Sequence, residues 1–317
     1  MPKPFLDTYL LWDMVVLTLC NFRVDECMGT TIAQLGEPDL KEAKTVIQTL
    51  CNGRNAEKHT LSNNTTTNGA NYSPTSYLPP LAHSPAQETP APRSTSPPTL
   101  ADVRAVLSPC IDGILRHPRI ARASRQTHSA LSTALLTFLN SHIDQSLTNV
   151  LFSSQKPFPP DSFTHWLHTI AAPSVSAPFS FTFLTCLIGD LLTSTTRYLG
   201  TDFGARVAIM SRIYNDLGSI ARDRAESNVN CADFAELNDG QAPGDEKIVK
   251  PRLEELAQYE RDAAIRVGTR LTSALKGSER KDRGRKADAV RLFWGVAELY
   301  ADVYVVRGLS NRLNGGG

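Results

Sequence analysis

At 317 residues and 41 % hydrophobic content, the chain is long enough for one large domain or two small ones, with apolar residues for a sizeable core. A net charge of +1 gives no electrostatic footing for nucleic acid or an anionic membrane surface. Six cysteines (Cys20, Cys27, Cys51, Cys110, Cys186, Cys231) stand apart with no Cys-x-x-Cys, which argues against a zinc or disulfide framework and for a reducing, cytoplasmic compartment.

Residues 5–35 read as a helix that is apolar around most of its circumference, as in a buried element. Its run from Tyr9 to Cys20 is interrupted by Asp13 and is too short and too acidic to span a bilayer, so no stable membrane insertion is expected. Residues 38–52 read as an amphipathic helix that Gly53 could stop. From 54 to 98 the composition turns to Ser, Thr, Asn and Pro. That segment is expected to be a disordered insert, unable to bury enough apolar surface to offset its ordering entropy.

Helical pattern resumes at Thr99 and continues through about 120–146, where Pro157, Pro159 and Pro160 make a stop beyond it. Short helices are expected near 161–171 and 178–199, a longer one over 202–227, and another over 247–276 with Glu254, Glu255, Glu260 and Arg261 on its polar side. A basic loop over 276–286 then leads to a last helix over 286–312. Alternating apolar runs are few and no repeat is visible, so the expected architecture is all-α: eight to ten helices packed as a bundle around a pocket. The organisation expected along the chain is 1–53, then the insert 54–98, then the main helical part 99–317.

The most informative run is Arg212-Ile-Tyr-Asn215-Asp216-Leu-Gly-Ser219-Ile-Ala-Arg222-Asp223. Asn215, Ser219 and Asp223 are spaced i, i+4, i+8, within roughly 80° of one helix face. An amide oxygen, a hydroxyl and a carboxylate in one row form the hard donor set that Mg²⁺ prefers. Arg212 sits one turn earlier on a neighbouring part of that face, which points to a phosphorylated ligand held through the metal. The alternative is a polar helix face carrying capping-type residues. A second cluster, Asn21-Phe-Arg-Val-Asp25-Glu26-Cys27-Met28-Gly29, follows the apolar helix. Its alternative is a solvated acidic pair. His165 and His168 face one way without a matching third ligand and read as ordinary histidines rather than a zinc site.

The first run resembles the second metal-binding motif of class I terpene synthases, Asn/Asp-Asp-x-x-Ser/Thr-x-x-x-Glu. Its continuation to Asn230 is most similar to the fungal bifunctional copalyl diphosphate synthase/ent-kaurene synthase type. Asp223 stands where that pattern has Glu. The second cluster resembles the Asp-rich motif of the same enzymes, with Asp25 and Glu26 in the first two positions and Gly29 in place of the third acid.

The resemblance implies an isoprenoid-synthase-like helical bundle, incomplete at its N-terminus, and a Mg²⁺-dependent diterpene cyclase domain or fragment. The implied substrate is a prenyl diphosphate, copalyl diphosphate, converted to a kaurene- or pimarane-type hydrocarbon. Asp25, Glu26, Asn215, Ser219 and Asp223 would bind metal, and Arg212 and Arg222 the diphosphate. Phe22, Trp166, Phe179, Phe181, Phe183 and Tyr214 are candidates to line the pocket, the alternative for each being ordinary core. The basic loop over 276–286 corresponds to one that closes over the diphosphate in that family, or is a flexible solvated connection. No Asp-x-Asp-Asp occurs, so formation of copalyl diphosphate is not expected. Asp25 lies closer to the start than in that family, and the 317-residue chain alone is expected to turn over little substrate. The other reading is a non-catalytic helical homologue that keeps the fold without turnover.

Overall fold

The computed structural model describes residues 32, 35–61, 99–155, 158–189, 193–238, 246–278 and 283–314. Every regular element among them is helical. The chain divides into two compact units, residues 1–132 and 133–317.

In the first unit, α1 (Glu37–Leu61) and α2 (Leu100–Leu115) pack on one another, and the short α3 (Pro118–Ala121) follows. Leu40, Ala43, Ile47 and Cys51 recur at spacings of three and four and form the buried stripe of α1. Val103, Leu107, Cys110, Ile111 and Ile114 do the same for α2, whose start is fixed by a capping box between Thr99 and Asp102. Gly53 does not stop α1, and the first residues of the expected insert are helical to Leu61. A single helix-interior glycine costs only about 1 kcal/mol, and the residues after it are good helix formers. Residues 62–98 lie outside the described residues, as does the expected helix 5–35 except for Ile32 and Leu35.

α4 (Arg125–Gln155) crosses the boundary between the units. The second unit then holds α5 (Phe163–Trp166), a π-helical turn (Leu167–Ala171), α6 (Ala172–Ser174), α7 (Ala177–Ile188), α8 (Ser194–Glu226), α9 (Glu246–Ser278) and α10 (Arg283–Asn314). α8 is the hub: α7, α9 and α10 all pack on it, and α9 and α10 pack on each other.

The expected helix over 178–199 is in fact two. α7 ends at Gly189, whose φ of 78° suits only glycine without strain. α8 starts from a Thr193–Thr196 capping box, eight residues ahead of the expected 202. The described residues of the 276–286 loop are helical, because α9 runs to Ser278 and α10 begins at Arg283. Lysine and arginine are good helix formers and are as well solvated on a helix as in a loop. No single helix among the described residues is long and apolar enough to cross a membrane. The pair Phe163–Ser174 and Ala177–Ile188, bent by 47°, meets the length and composition only when taken together.

Charged contacts tie the helices around α8. Arg206 reaches Glu260 of α9 at 3.0 Å and Asp202 at 3.3 Å. Arg261 of α9 donates to Glu298 of α10 at 2.7 Å. A close backbone approach falls inside the motif run itself: a Cβ at Gly218 would lie 2.5 Å from the Tyr304 carbonyl oxygen of α10. Gly218→Ala is therefore expected to destabilise by about 1–3 kcal/mol through forced helix displacement, although alanine is the better helix former by about 1 kcal/mol. Urea unfolding checks the sign, and a stabilised variant contradicts this crossing.

Candidate metal and diphosphate site

Along α8, Ile209, Ile213, Asp216, Ile220 and Asp223 are buried at spacings of four, three, four and three. This is the core-facing stripe of an amphipathic helix with two carboxylates in apolar positions. The isoleucines join a core built on Trp166, Phe163, Val229, Cys231, Phe234, Val249, Leu253 and Ala257. Burying two carboxylates there requires that each be paired.

Asp216 is fully buried. Its Oδ2 accepts from the Cys231 backbone N–H at 2.8 Å, and its Oδ1 lies 2.9 Å from Arg212 Nε. That Oδ1–Nε contact is an ion pair without hydrogen-bond alignment. Arg212 Nη2 donates to the Val229 carbonyl at 3.3 Å, and the guanidinium lies over the Trp166 ring, 5.0 Å from its centroid. Burial works most strongly against the Arg212 charge, but Asp216, Cys231 and Asp223 together outweigh it and lift the guanidinium pKa above its ordinary value. Burial pushes the Asp216 carboxyl up, while Arg212 and the Cys231 amide pull it down. Burial also pushes the Cys231 thiol well up, so it is no nucleophile.

Asp223 is 5 % exposed. Its Oδ2 accepts from Ser219 Oγ and, at 2.8 Å, from Asn230 Nδ2. Among the described residues its Oδ1 accepts only from Arg222, at 3.2 and 3.3 Å, and the Arg222 side chain is 58 % exposed. Asn215 is half-buried one turn before Ser219. The loop after α8 closes this end: Asn149 Oδ1 accepts from Val229 N–H at 2.9 Å, Asn230 caps a 3₁₀ turn over Cys231–Asp233, and Glu236 accepts from Phe163 N–H at 2.9 Å.

The row expected from spacing is thus present on one helix, with Ser219 and Asp223 in direct contact. Asp25, Glu26 and Phe22 lie outside the described residues. Trp166 packs on Phe234 and under Arg212, and Tyr214 packs against the same core. Phe179 and Phe183 belong to another aromatic group, with Phe138 stacked on Phe179 at 5.8 Å. Phe181 meets Phe203 and Phe293. His165 is exposed and lies 3.9 Å from Asp161. Among the described residues no three His, Cys, Asp or Glu converge as a metal cluster. The donor chemistry of Asn215, Ser219 and Asp223 nonetheless fits a hard cation. All three offer oxygen, and among the described residues Asp223 Oδ1 is held only by a side chain that water can replace.

Asp216, Asn230 and His142 carry roles that spacing did not reveal. The signal for Asp216 was its place in the apolar stripe. His142 has a buried Nε2 and meets Phe138 edge-on at 4.8 Å. Burial, and then the Arg212 charge, lower its pKa to about 4. Unfolded histidine titrates near pH 6.5. Between those values the unfolded state therefore binds more protons, and stability present above pH 6.5 is lost as pH falls toward 4. Asp233, pushed up to about 6 by burial, acts in the opposite direction. The clean measurement is therefore a difference. The stability of the unsubstituted chain relative to His142→Gln is expected to fall by on the order of 1 kcal/mol or more between pH 7 and pH 5. A pH-independent difference contradicts it.

An all-α, isoprenoid-synthase-like fold with a hard-oxygen row on its hub helix defines a class of protein. No family model matches the chain. It is 27 % identical over 335 residues to a pimaradiene synthase of Emericella nidulans, covering 95 % of this chain and 32 % of that protein. It is 28 % identical to an ent-kaur-16-ene synthase of Fusarium fujikuroi, covering 98 % and 32 %. A further ent-kaur-16-ene synthase, from a Phaeosphaeria species, is 30 % identical over 232 residues, 68 % of this chain and 24 % of that protein. The chain is a homologue of fungal diterpene synthases, consistent with a C-terminal class I terpene synthase part. It spans about a third of the length of the curated relatives it matches.

Proposed function

We propose that the chain is a Mg²⁺-dependent class I diterpene cyclase domain that ionises a diterpenyl diphosphate, copalyl diphosphate, and cyclises it to a kaurene- or pimarane-type hydrocarbon. The observation that carries this is the α8 row: Ser219 and Asp223 side by side, with Asp223 Oδ1 held, among the described residues, by exposed Arg222 alone. Homology to diterpene synthases along nearly the whole chain supports it. Bound Mg²⁺ would neutralise the charge that develops on a diphosphate leaving group.

Asn215, Ser219 and Asp223 would supply oxygen ligands from this helix, and Asp25 and Glu26 those of the other motif. Arg222 is free to turn from Asp223 to a diphosphate oxygen. Arg212 would have to exchange its contact with Asp216 or Val229 to do the same. Trp166, Phe179, Phe183 and Tyr214 would have to turn ring faces toward a carbocation in a water-excluding pocket. The site of action is the cytoplasm.

The test is a chimera in which this chain replaces the corresponding third of the Fusarium fujikuroi synthase, incubated with copalyl diphosphate. Mg²⁺-dependent diphosphate release with a diterpene hydrocarbon is the expected result. A folded chimera that releases no diphosphate favours the non-catalytic homologue.

A further inference from the structure

We propose that Asn230 is a positioning residue: it fixes the rotamer of Asp223, and so decides which of its carboxylate oxygens faces a cation. This rests on Asp223 being a metal ligand, as proposed above. Asn230 is 2 % exposed and lies beyond the end of α8, in the loop rather than in the motif. Its Nδ2 donates to the Asp216 carbonyl at 3.0 Å and to Asp223 Oδ2 at 2.8 Å. Its Oδ1 accepts from the Ala232 N–H at 3.0 Å, and its own N–H donates to Asp233 Oδ2 at 2.8 Å. A flipped amide would set Oδ1 against two acceptors and leave the Ala232 N–H facing a donor, so the network admits one orientation.

Two donors, Asn230 Nδ2 and Ser219 Oγ, thus converge on Asp223 Oδ2. Oδ1 is left to the exposed Arg222 side chain, the oxygen a cation can take. The loop that carries Asn230 is itself anchored. Asn149 holds Val229 and Asn228 at 2.9 Å each, the Asp216 carboxylate holds Cys231, and Asn238 donates to the Ala232 and Phe234 carbonyls at 2.9 and 2.8 Å. Asn230 therefore touches no ligand. It acts through Asp223, whose short side chain gives it few ways to recover a lost orientation. Partners of this kind orient a ligand and tune its affinity.

The experiment titrates Mn²⁺ into the full 317-residue chain in the presence of inorganic diphosphate, reading free Mn²⁺ by electron paramagnetic resonance. Asn230→Ala and Asn230→Asp are expected to weaken Mn²⁺ binding about tenfold to a hundredfold, with far-UV circular dichroism unchanged. Asn230→Asp keeps an acceptor for the Ala232 N–H, so it tests the lost donors even if the alanine variant does not fold. In an Asp223→Ala background, Asn230→Ala should weaken binding no further, because its effect passes through Asp223. Unchanged affinity in folded Asn230 variants, or an equal loss with Asp223 already removed, overturns the proposal. No Mn²⁺ binding by the unsubstituted chain overturns both this proposal and the metal-ligand assignment. Binding by that chain with indifferent Asn230 variants overturns this proposal alone.

Discussion

Asp216→Ala is expected to destabilise the second unit by about 3–5 kcal/mol, as removing one partner of a buried ion pair does. The carboxylate is fully buried, and its loss strands the Arg212 charge, which is only 12 % exposed, and the Cys231 N–H together. The penalty belongs to the unpaired charge more than to any intrinsic worth of the pair. Arg212→Met combined with Asp216→Leu should therefore recover much of the loss. Urea unfolding of the three chains measures both statements. A single Asp216→Ala variant within 1 kcal/mol of the unsubstituted chain would show that the pair is better hydrated than its burial implies.

The second large effect is on turnover. In the chimera described above, Asn215→Ala and Asp223→Ala are each expected to lower the Mg²⁺-dependent rate by about 10²-fold or more, as loss of a preorganised charge-stabilising group does. Asp223→Ala also strands the Asn230 Nδ2 donor, at about 1–3 kcal/mol of stability. Asp223→Asn is therefore the better variant, since it keeps an oxygen for Asn230 while lowering the charge offered to the metal. A rate indifferent to all three changes removes this row from the chemistry.

Much of the fold could be read from periodicity. The helices over 246–278 and 283–314 differ from their expected bounds by three residues or fewer, because each carries a long apolar stripe between polar ends. The helix boundary at 189–193 was not legible. Its start signal is Thr193 with Thr196, a hydroxyl pair rather than the Ser/Thr-x-x-Glu pattern that marks most capping boxes, and glycine alone does not announce a left-handed residue. Gly53 shows the converse, a glycine that punctuates nothing.

The site was partly legible. Spacing alone placed Ser219 and Asp223 together on one face, because i and i+4 must meet on a helix. It could not show that Arg212 lies on Trp166 and beside Asp216, since both contacts depend on which face of α8 is buried. Nor could it show that a loop asparagine seven residues past Asp223 returns to bond it, because loop closure is set by tertiary anchors such as Asn149 on α4. Asp216 was visible as a letter and its burial was not. A carboxylate at an apolar position of a 3–4 stripe is the feature that would have exposed it.

The most direct test of the central claim is calorimetric titration of inorganic diphosphate into the 317-residue chain, with Mg²⁺ and with the metal chelated. A site of this chemistry should bind diphosphate with Mg²⁺, release it on chelation and lose it in Asp223→Ala. Failure to bind with Mg²⁺, or binding that persists without metal and in Asp223→Ala, would contradict a Mg²⁺-bridged diphosphate site on α8.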